Sequence, residues 1–146
     1  MSWDKALPNF TRRELACPKT GIILLDMNFA VAYPYLRHQW GDALYPNSVC
    51  RSPEHNEAID GHPRSLHLID NPVHPTDGAM AADNQWRNWR SARKLRFAQL
   101  AWRLGWSLGL HDGFIHIDRR VDVGLPQKVF TYNEWASPFT EKEIRQ

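Results

Sequence analysis

The pentapeptide Phe114-Ile-His-Ile-Asp118 alternates as a β-strand does, and strand side chains repeat every second residue. His116 and Asp118 therefore share one face, with Phe114 beside them. A histidine and a carboxylate projecting together from a buried strand require a polar partner, a metal or water. Two more residues extend this chemistry. His67 stands two residues after Ser65 at the start of an irregular stretch, and Asp83 ends the small-residue run Gly78-Ala-Met-Ala-Ala-Asp83. His67, Asp83 and His116 would offer two imidazoles and a carboxylate, a ligand set suited to catalytic zinc with a fourth position open for water. Each also has a plainer reading alone: His116 as a satisfied structural histidine, His67 as surface, Asp83 as the cap of a turn. The positions match no compact zinc signature, so spacing alone leaves these readings side by side.

The elements that must position these residues are short. Thr11-Arg-Arg-Glu14 has capping-box spacing and predicts a helix ending near Pro18. Asp26 to Gln39 predicts a second helix, with Met27, Ala30, Val31 and Tyr35 as its apolar stripe and Pro34 as a kink or break. A buried strand is expected at 48–50, a helical turn or two at 53–59, an irregular loop at 61–78 and a strand at 79–82. Ser91 to about Leu104 reads as the clearest helix, with Ser91 as N-cap, Leu95, Ala98, Ala101 and Trp102 on one side, and Gly105 as the stop. Strands at 107–110 and 114–118, joined across Asp112-Gly113, and another at 128–132 complete the reading. Short strands beside separate helices, without βαβ alternation, predict an α+β fold with a small antiparallel sheet flanked by helices.

Length and composition bound the rest. The 146 residues suit one domain, 1–146, and the net charge of +2 implies no general field for polyanions. No apolar run approaches the roughly 18–20 residues of a membrane span, and the N-terminus lacks signal-peptide character. Two cysteines exclude a four-cysteine zinc site; Cys17 and Cys50 are expected as free, buried thiols. Arg87, Arg90, Arg93, Lys94 and Arg96, interleaved with Trp86 and Trp89, would suit nucleic acid. The plainer reading is a solvated helix face with core tryptophans. Trp102 and Trp106 are assigned to the core, whereas Trp40 and Trp135 fit a cleft.

The order of motifs goes further. Ser48-Val-Cys-Arg-Ser-Pro-Glu-His-Asn56, Ser65-Leu-His67, Gly78-Ala-Met-Ala-Ala-Asp83 and Phe114-Ile-His-Ile-Asp118 together resemble the zinc D-Ala-D-Ala carboxypeptidase family. That family includes bacterial cell-wall carboxypeptidases and phage L-alanyl-D-glutamate endolysins, and shares its fold with the hedgehog signalling domain. Phe10-Thr-Arg-Arg-Glu-Leu-Ala-Cys17 looks like its N-terminal segment, so the match spans residues 10–118. The resemblance implies that His67, Asp83 and His116 bind Zn²⁺. It also implies that Arg51 sits by the metal, holding a substrate carboxylate or carbonyl and acting in catalysis. Ser65 is a substrate-side candidate, although Ser65 and Asn56 also suit a role in holding loop geometry.

Two departures stand out. Many relatives carry Glu three residues before the last ligand, where this chain has Gly113. Asp118 then becomes the first candidate for the general base, with a role orienting His116 as the alternative, and His111 and Asp112 in reserve. The spacing from His67 to Asp83 is also longer than in the family. The added residues, 69–77, bring Asp70 and Asp77 as rival carboxylate ligands and a loop able to shape substrate choice.

The expected function is a zinc metallopeptidase, carboxypeptidase or endopeptidase, acting on peptidoglycan peptides. It would be a monomer made in the cytoplasm and acting at the cell wall after phage-type release or as a virion component. No nucleic acid partner and no membrane insertion are expected. The alternative is a non-catalytic, zinc-containing structural or wall-binding domain of the same fold.

Overall fold

Helix ends follow their caps. The computed structural model describes residues 3–136 and 138–146. Helix α1 (Trp3–Ala6) leads into α2 (Arg12–Leu15), whose capping box forms in full between Thr11 and Glu14. Asp26 caps α3 (Met27–Trp40), accepting from the Asn28 and Phe29 N–H groups at 3.0 and 3.3 Å, and Gly41 ends it in the left-handed conformation. Strand β1 (Pro46–Ser48) precedes α4 (Pro53–Ala58), capped by Ser52 with Pro53 at its start. Then come β2 (Ala81–Gln85), α5 (Ser91–Arg103), β3 (Ser107–Leu110), β4 (Phe114–Asp118), a 3-10 turn (Arg120–Val123), β5 (Val129–Thr131) and α6 (Glu141–Ile144).

The five strands form one sheet in the order β1-β2-β4-β3-β5. All neighbours are antiparallel except β3 and β5, which run parallel. The α+β class holds, with that edge pairing the exception to an antiparallel sheet. Register aligns Asp83 on β2 with His116 on β4, His116 with Gly109 on β3, and Gly109 with Phe130 on β5. Alternation then sorts the faces. Ile115, Ile117, Leu108 and Leu110 join α3 and α5 in the core, while His116 and Asp118 turn to the other face with Asp83.

In the core, Phe10, Tyr33 and Phe29 stack in series and Trp106 meets them edge-on. Burying each such ring is worth about 2 kcal/mol. The Tyr33 hydroxyl donates to Asn84 Oδ1, which satisfies a polar group inside β2. Among the described residues no helix is long and apolar enough to cross a membrane.

Several local expectations are corrected. On α3 the buried stripe is Phe29, Tyr33 and Leu36, whereas Met27, Val31 and Tyr35 are exposed. Both sets have helical spacing, and the core took the set that meets the ring stack. Helix α3 runs unbroken through Pro34, held by packing on both sides of it. Strand β1 lies two residues before the expected 48–50, and the expected 79–82 strand runs on to Gln85, so Asp83 is mid-strand. Arg90, not Ser91, occupies the N-cap of α5 and gives no side-chain cap.

Trp40 and Trp135 pack rather than line a cleft: Trp40 stacks on Trp89 and Trp135 on Trp86. The basic segment is partly consumed by this packing. Arg93 lies over Trp40 and Trp89 and pairs with Asp42 at 2.8 Å. Lys94 is buried over Trp86 and donates to the Asp112 carbonyl. Trp106 is buried as expected, while Trp102 is only half-buried beneath Arg145. Cys17 and Cys50 are free and buried.

Candidate metal centre

Three segments bring His67, Asp83 and His116 together. The loop carrying His67 is tied to the Arg51 segment by backbone bonds from Arg51 N–H to the His67 carbonyl and from Ile69 N–H to the Arg51 carbonyl. Met80 N–H donates to the Leu66 carbonyl, linking the same loop to the start of β2. Ser65 Oγ accepts from the His67 N–H at 3.2 Å, so Ser65 shapes the loop. Asp83 and His116 face each other across the β2–β4 ladder.

One atom of each residue, Nε2 of His67, Oδ1 of Asp83 and Nδ1 of His116, converges on a common point. Asp83 Oδ1 lies 3.2 Å from His67 Nε2 and 2.9 Å from His116 Nδ1, and all three residues are buried. The far nitrogens set the tautomers. His67 Nδ1 lies 2.9 Å from the Val49 carbonyl, an acceptor, so Nδ1 carries the proton and Nε2 presents its lone pair inward. His116 Nε2 donates to Asp118 Oδ2 at 2.8 Å, which leaves Nδ1 as the inward atom.

His67 Nε2 supplies the test of fit. It is fully buried and has no hydrogen-bond partner among the described residues: its lone pair faces Asp83 Oδ1, itself an acceptor, at 3.2 Å. A buried acceptor left unpaired is costly, and a cation shared with Asp83 and His116 would satisfy it. The three residues form a cluster able to hold a metal ion, with all ligand atoms within 4.8 Å of one another. Two imidazoles and a carboxylate are zinc-type donors.

The surrounding charges are ordered. Burial opposes ionisation of Asp83, but His67 and His116 outweigh it and hold the carboxyl well below the usual carboxylate range. Burial likewise opposes charge on His116, but hydrogen bonds and charge from Asp118 and Asp83 push the imidazole up to about 9. Burial lowers His67, against Asp83, and keeps it neutral. Asp83 Oδ2 meets Arg51 Nη2 at 3.2 Å. Arg51 is steadied by Ser48 Oγ at 3.0 Å and Asn56 Oδ1 at 3.4 Å. Asn56 in turn donates to the His62 carbonyl, in a turn where a Cβ on Gly61 would lie 2.0 Å from Asn56 Oδ1. Only glycine fits there.

Asp118 is the most enclosed member of the site. Arg120 grips it from Nε at 2.9 Å, from Nη2 at 2.7 Å and from its backbone N–H at 3.0 Å, while His116 takes the remaining position. A carboxylate has about four lone-pair sites, and all four are engaged. Burial would raise the Asp118 carboxyl, but His116 and Arg120 hold it well below its ordinary range.

His111 stays apart from the cluster. Its Nδ1 accepts from the Gly113 N–H, Nε2 is 3.5 Å from Glu134, and its ring stacks on Phe114. Asp112 gives its carboxylate to the Ala136 N–H and its carbonyl to Lys94. At Gly113 a Cβ would lie 2.3 Å from the Arg87 guanidinium, so Arg87 fills the space beside that position. Asp70 and Asp77 are outside the cluster. The inserted loop is organised by Asn71, which donates to the Ser65 carbonyl and accepts from the Val73 and His74 N–H groups. Between this loop and α4 lies a cavity of about 550 Å³, lined by Pro53, Asn56, Glu57, Leu68, Asp70 and Pro72 among others.

The grip of Arg120 and the ring of Phe130, 5.7 Å from His116, were not anticipated. The alternation over 128–132 was the available signal for Phe130. Nothing local marks Arg120 beyond its place two residues after Asp118.

A small mixed sheet presents a His–Asp–His cluster, able to hold a metal ion, beside an arginine. Residues 8–118 match the family described as Peptidase M15, and the chain belongs to that family. No curated protein and no solved structure matches the chain significantly.

Proposed function

We propose that this protein is a zinc-dependent peptidase that hydrolyses peptidoglycan stem or cross-link peptides. The observation that carries the reading is the buried Nε2 of His67, without a hydrogen-bond partner among the described residues and aimed at the point where Asp83 Oδ1 and His116 Nδ1 converge. Family membership supports the peptidase class. The resemblance of the motif order to cell-wall carboxypeptidases and endolysins supports the substrate class. Action at the bacterial cell wall, after release or from a virion, follows from that substrate.

His67, Asp83 and His116 would hold the zinc. When bound, the ion supplies an acidified water and polarises the scissile carbonyl. Arg51, held beside Asp83 by Ser48 and Asn56, offers its guanidinium to a substrate carboxylate or to negative charge developing on the carbonyl oxygen. Asp118 keeps the His116 Nε2 proton in place and so turns Nδ1 inward. With its acceptor positions engaged by Arg120 and His116, it acts as a positioning residue. The inserted loop, beside a ligand-sized cavity that reaches Asn56, tunes substrate choice.

A second reading is favoured by one observation. No carboxylate stands at Gly113, where many relatives carry Glu, and Asp118 is fully engaged. On that reading the chain is a metal-holding wall-binding or structural domain without turnover. Purified protein and a His116→Ala variant, incubated with peptidoglycan with and without a chelator, separate the two. Chelator-sensitive release of amino groups by the wild type alone supports the peptidase. Bound zinc without release supports the binding domain, and absence of bound zinc overturns both.

A further inference from the structure

The sheet row that carries the metal cluster continues past His116. Asp83, His116, Gly109 and Phe130 are aligned across β2, β4, β3 and β5, on one face. Gly109 makes this possible. A Cβ there would lie 2.6 Å from the Phe130 ring and 3.1 Å from the His116 Cβ, so the ring occupies space that any other residue would fill. Two residues beyond Phe130, Tyr132 falls on the same face. Its N–H donates to the Leu110 carbonyl at 2.9 Å and extends the parallel ladder past the end of β5.

Three rings fix the Tyr132 ring: Phe114 at 5.3 Å, Phe130 at 5.7 Å and His111 at 5.8 Å between centroids. The ring is half-buried, and its hydroxyl makes no hydrogen bond among the described residues. Its surroundings are charged all the same. Burial and then Asp83 oppose ionisation, Arg51 favours it, and Asp118 and Arg120 add opposing effects, which together push the phenol up to about 12. The oxygen thus lies within the field of Asp83, Arg51, Asp118 and Arg120. It remains an O–H donor with no partner among the described residues.

We propose that the Tyr132 hydroxyl is a substrate-contacting donor of this site, giving a hydrogen bond to a carbonyl or carboxylate oxygen of a bound peptide. Sheet order places Arg51 toward the β1 edge and Tyr132 toward the β5 edge, with the metal cluster between them. A peptide lying across the strands meets a cationic donor on one flank and a neutral donor on the other. A phenol suits this role because it offers directed hydrogen bonding without the desolvation cost of a second buried charge. The inference deepens the peptidase reading and rests on it.

Tyr132→Phe removes the hydroxyl and keeps the ring. Binding of a short peptide ending in D-Ala is measured by calorimetry on the metal-free protein, and kcat and KM on the zinc-loaded protein. The variant should bind the peptide about tenfold more weakly and lose ten- to a hundredfold in kcat/KM. Its melting temperature and zinc content should equal those of the wild type. Unchanged binding and turnover overturn the inference, and so does weaker binding accompanied by a lowered melting temperature, which assigns Tyr132 to packing. A wild type that neither binds nor cleaves the peptide and releases no amino groups from peptidoglycan overturns the peptidase reading itself, a result distinct from a defect confined to the variant.

Discussion

The chemistry of this site depends on which nitrogen of each histidine faces inward, and two acceptors decide it: the Val49 carbonyl for His67 and the Asp118 carboxylate for His116. Asp118→Asn keeps the size but loses the charge that steadies the ring. It should weaken metal affinity ten- to a hundredfold, measured by competition with a chelating dye. The metal-free protein should also show a defined pH response. The His116 imidazole is held up at about 9 in the fold, above its ordinary 6.5. A raised folded value contributes stability that is fully present below about 6.5 and lost as pH rises toward 9. Cys17, whose thiol is held down at about 7, acts in the opposite sense over part of this interval, so the test is the difference: measured against His116→Gln, urea midpoints of the metal-free protein should fall between pH 6.5 and 9. A steep rise over the same interval would contradict the assignment.

At the scale of elements, the site is held by close approaches that tolerate little added volume. Gly109→Ala forces a methyl group against the Phe130 ring and should cost about 1–3 kcal/mol in chemical denaturation, with turnover falling as the row beside His116 shifts. Asn56→Ala removes an acceptor from Arg51 and a donor from the His62 carbonyl. It should reduce kcat/KM without loss of bound zinc. Much of this level was legible beforehand. The capping box at Thr11, the helix expected from Asp26 onward, and strands 107–110 and 114–118 are local signals, and local signals determined the outcome. The stripe on α3 was misread because Met27, Val31 and Tyr35 share helical spacing with Phe29, Tyr33 and Leu36. The choice between them was made by Trp106, far along the chain. The triad was legible through strand alternation at His116 and through motif order. The roles of Phe130 and Tyr132 were not, because they depend on the parallel β3–β5 pairing, which no local pattern announces.

For the whole molecule, one face of the sheet faces the core formed with α3 and α5, and the other carries the polar centre and its aromatic flank. The inserted loop lies beside that centre without displacing Asp83 as its carboxylate. Loop length adds little entropic cost, so an insertion of this kind is compatible with the fold. Shortening 70–77 should change peptide preference while zinc content is retained, as read by comparing products from different peptidoglycans. The central claim is that His67, Asp83 and His116 hold one zinc ion that serves amide hydrolysis. Its most direct test is metal analysis of the purified protein alongside assay of amino groups released from peptidoglycan. The account predicts one zinc per chain and chelator-sensitive release, both abolished in His116→Ala. Release that persists undiminished in His116→Ala, or a wild type that takes up no zinc, would contradict it.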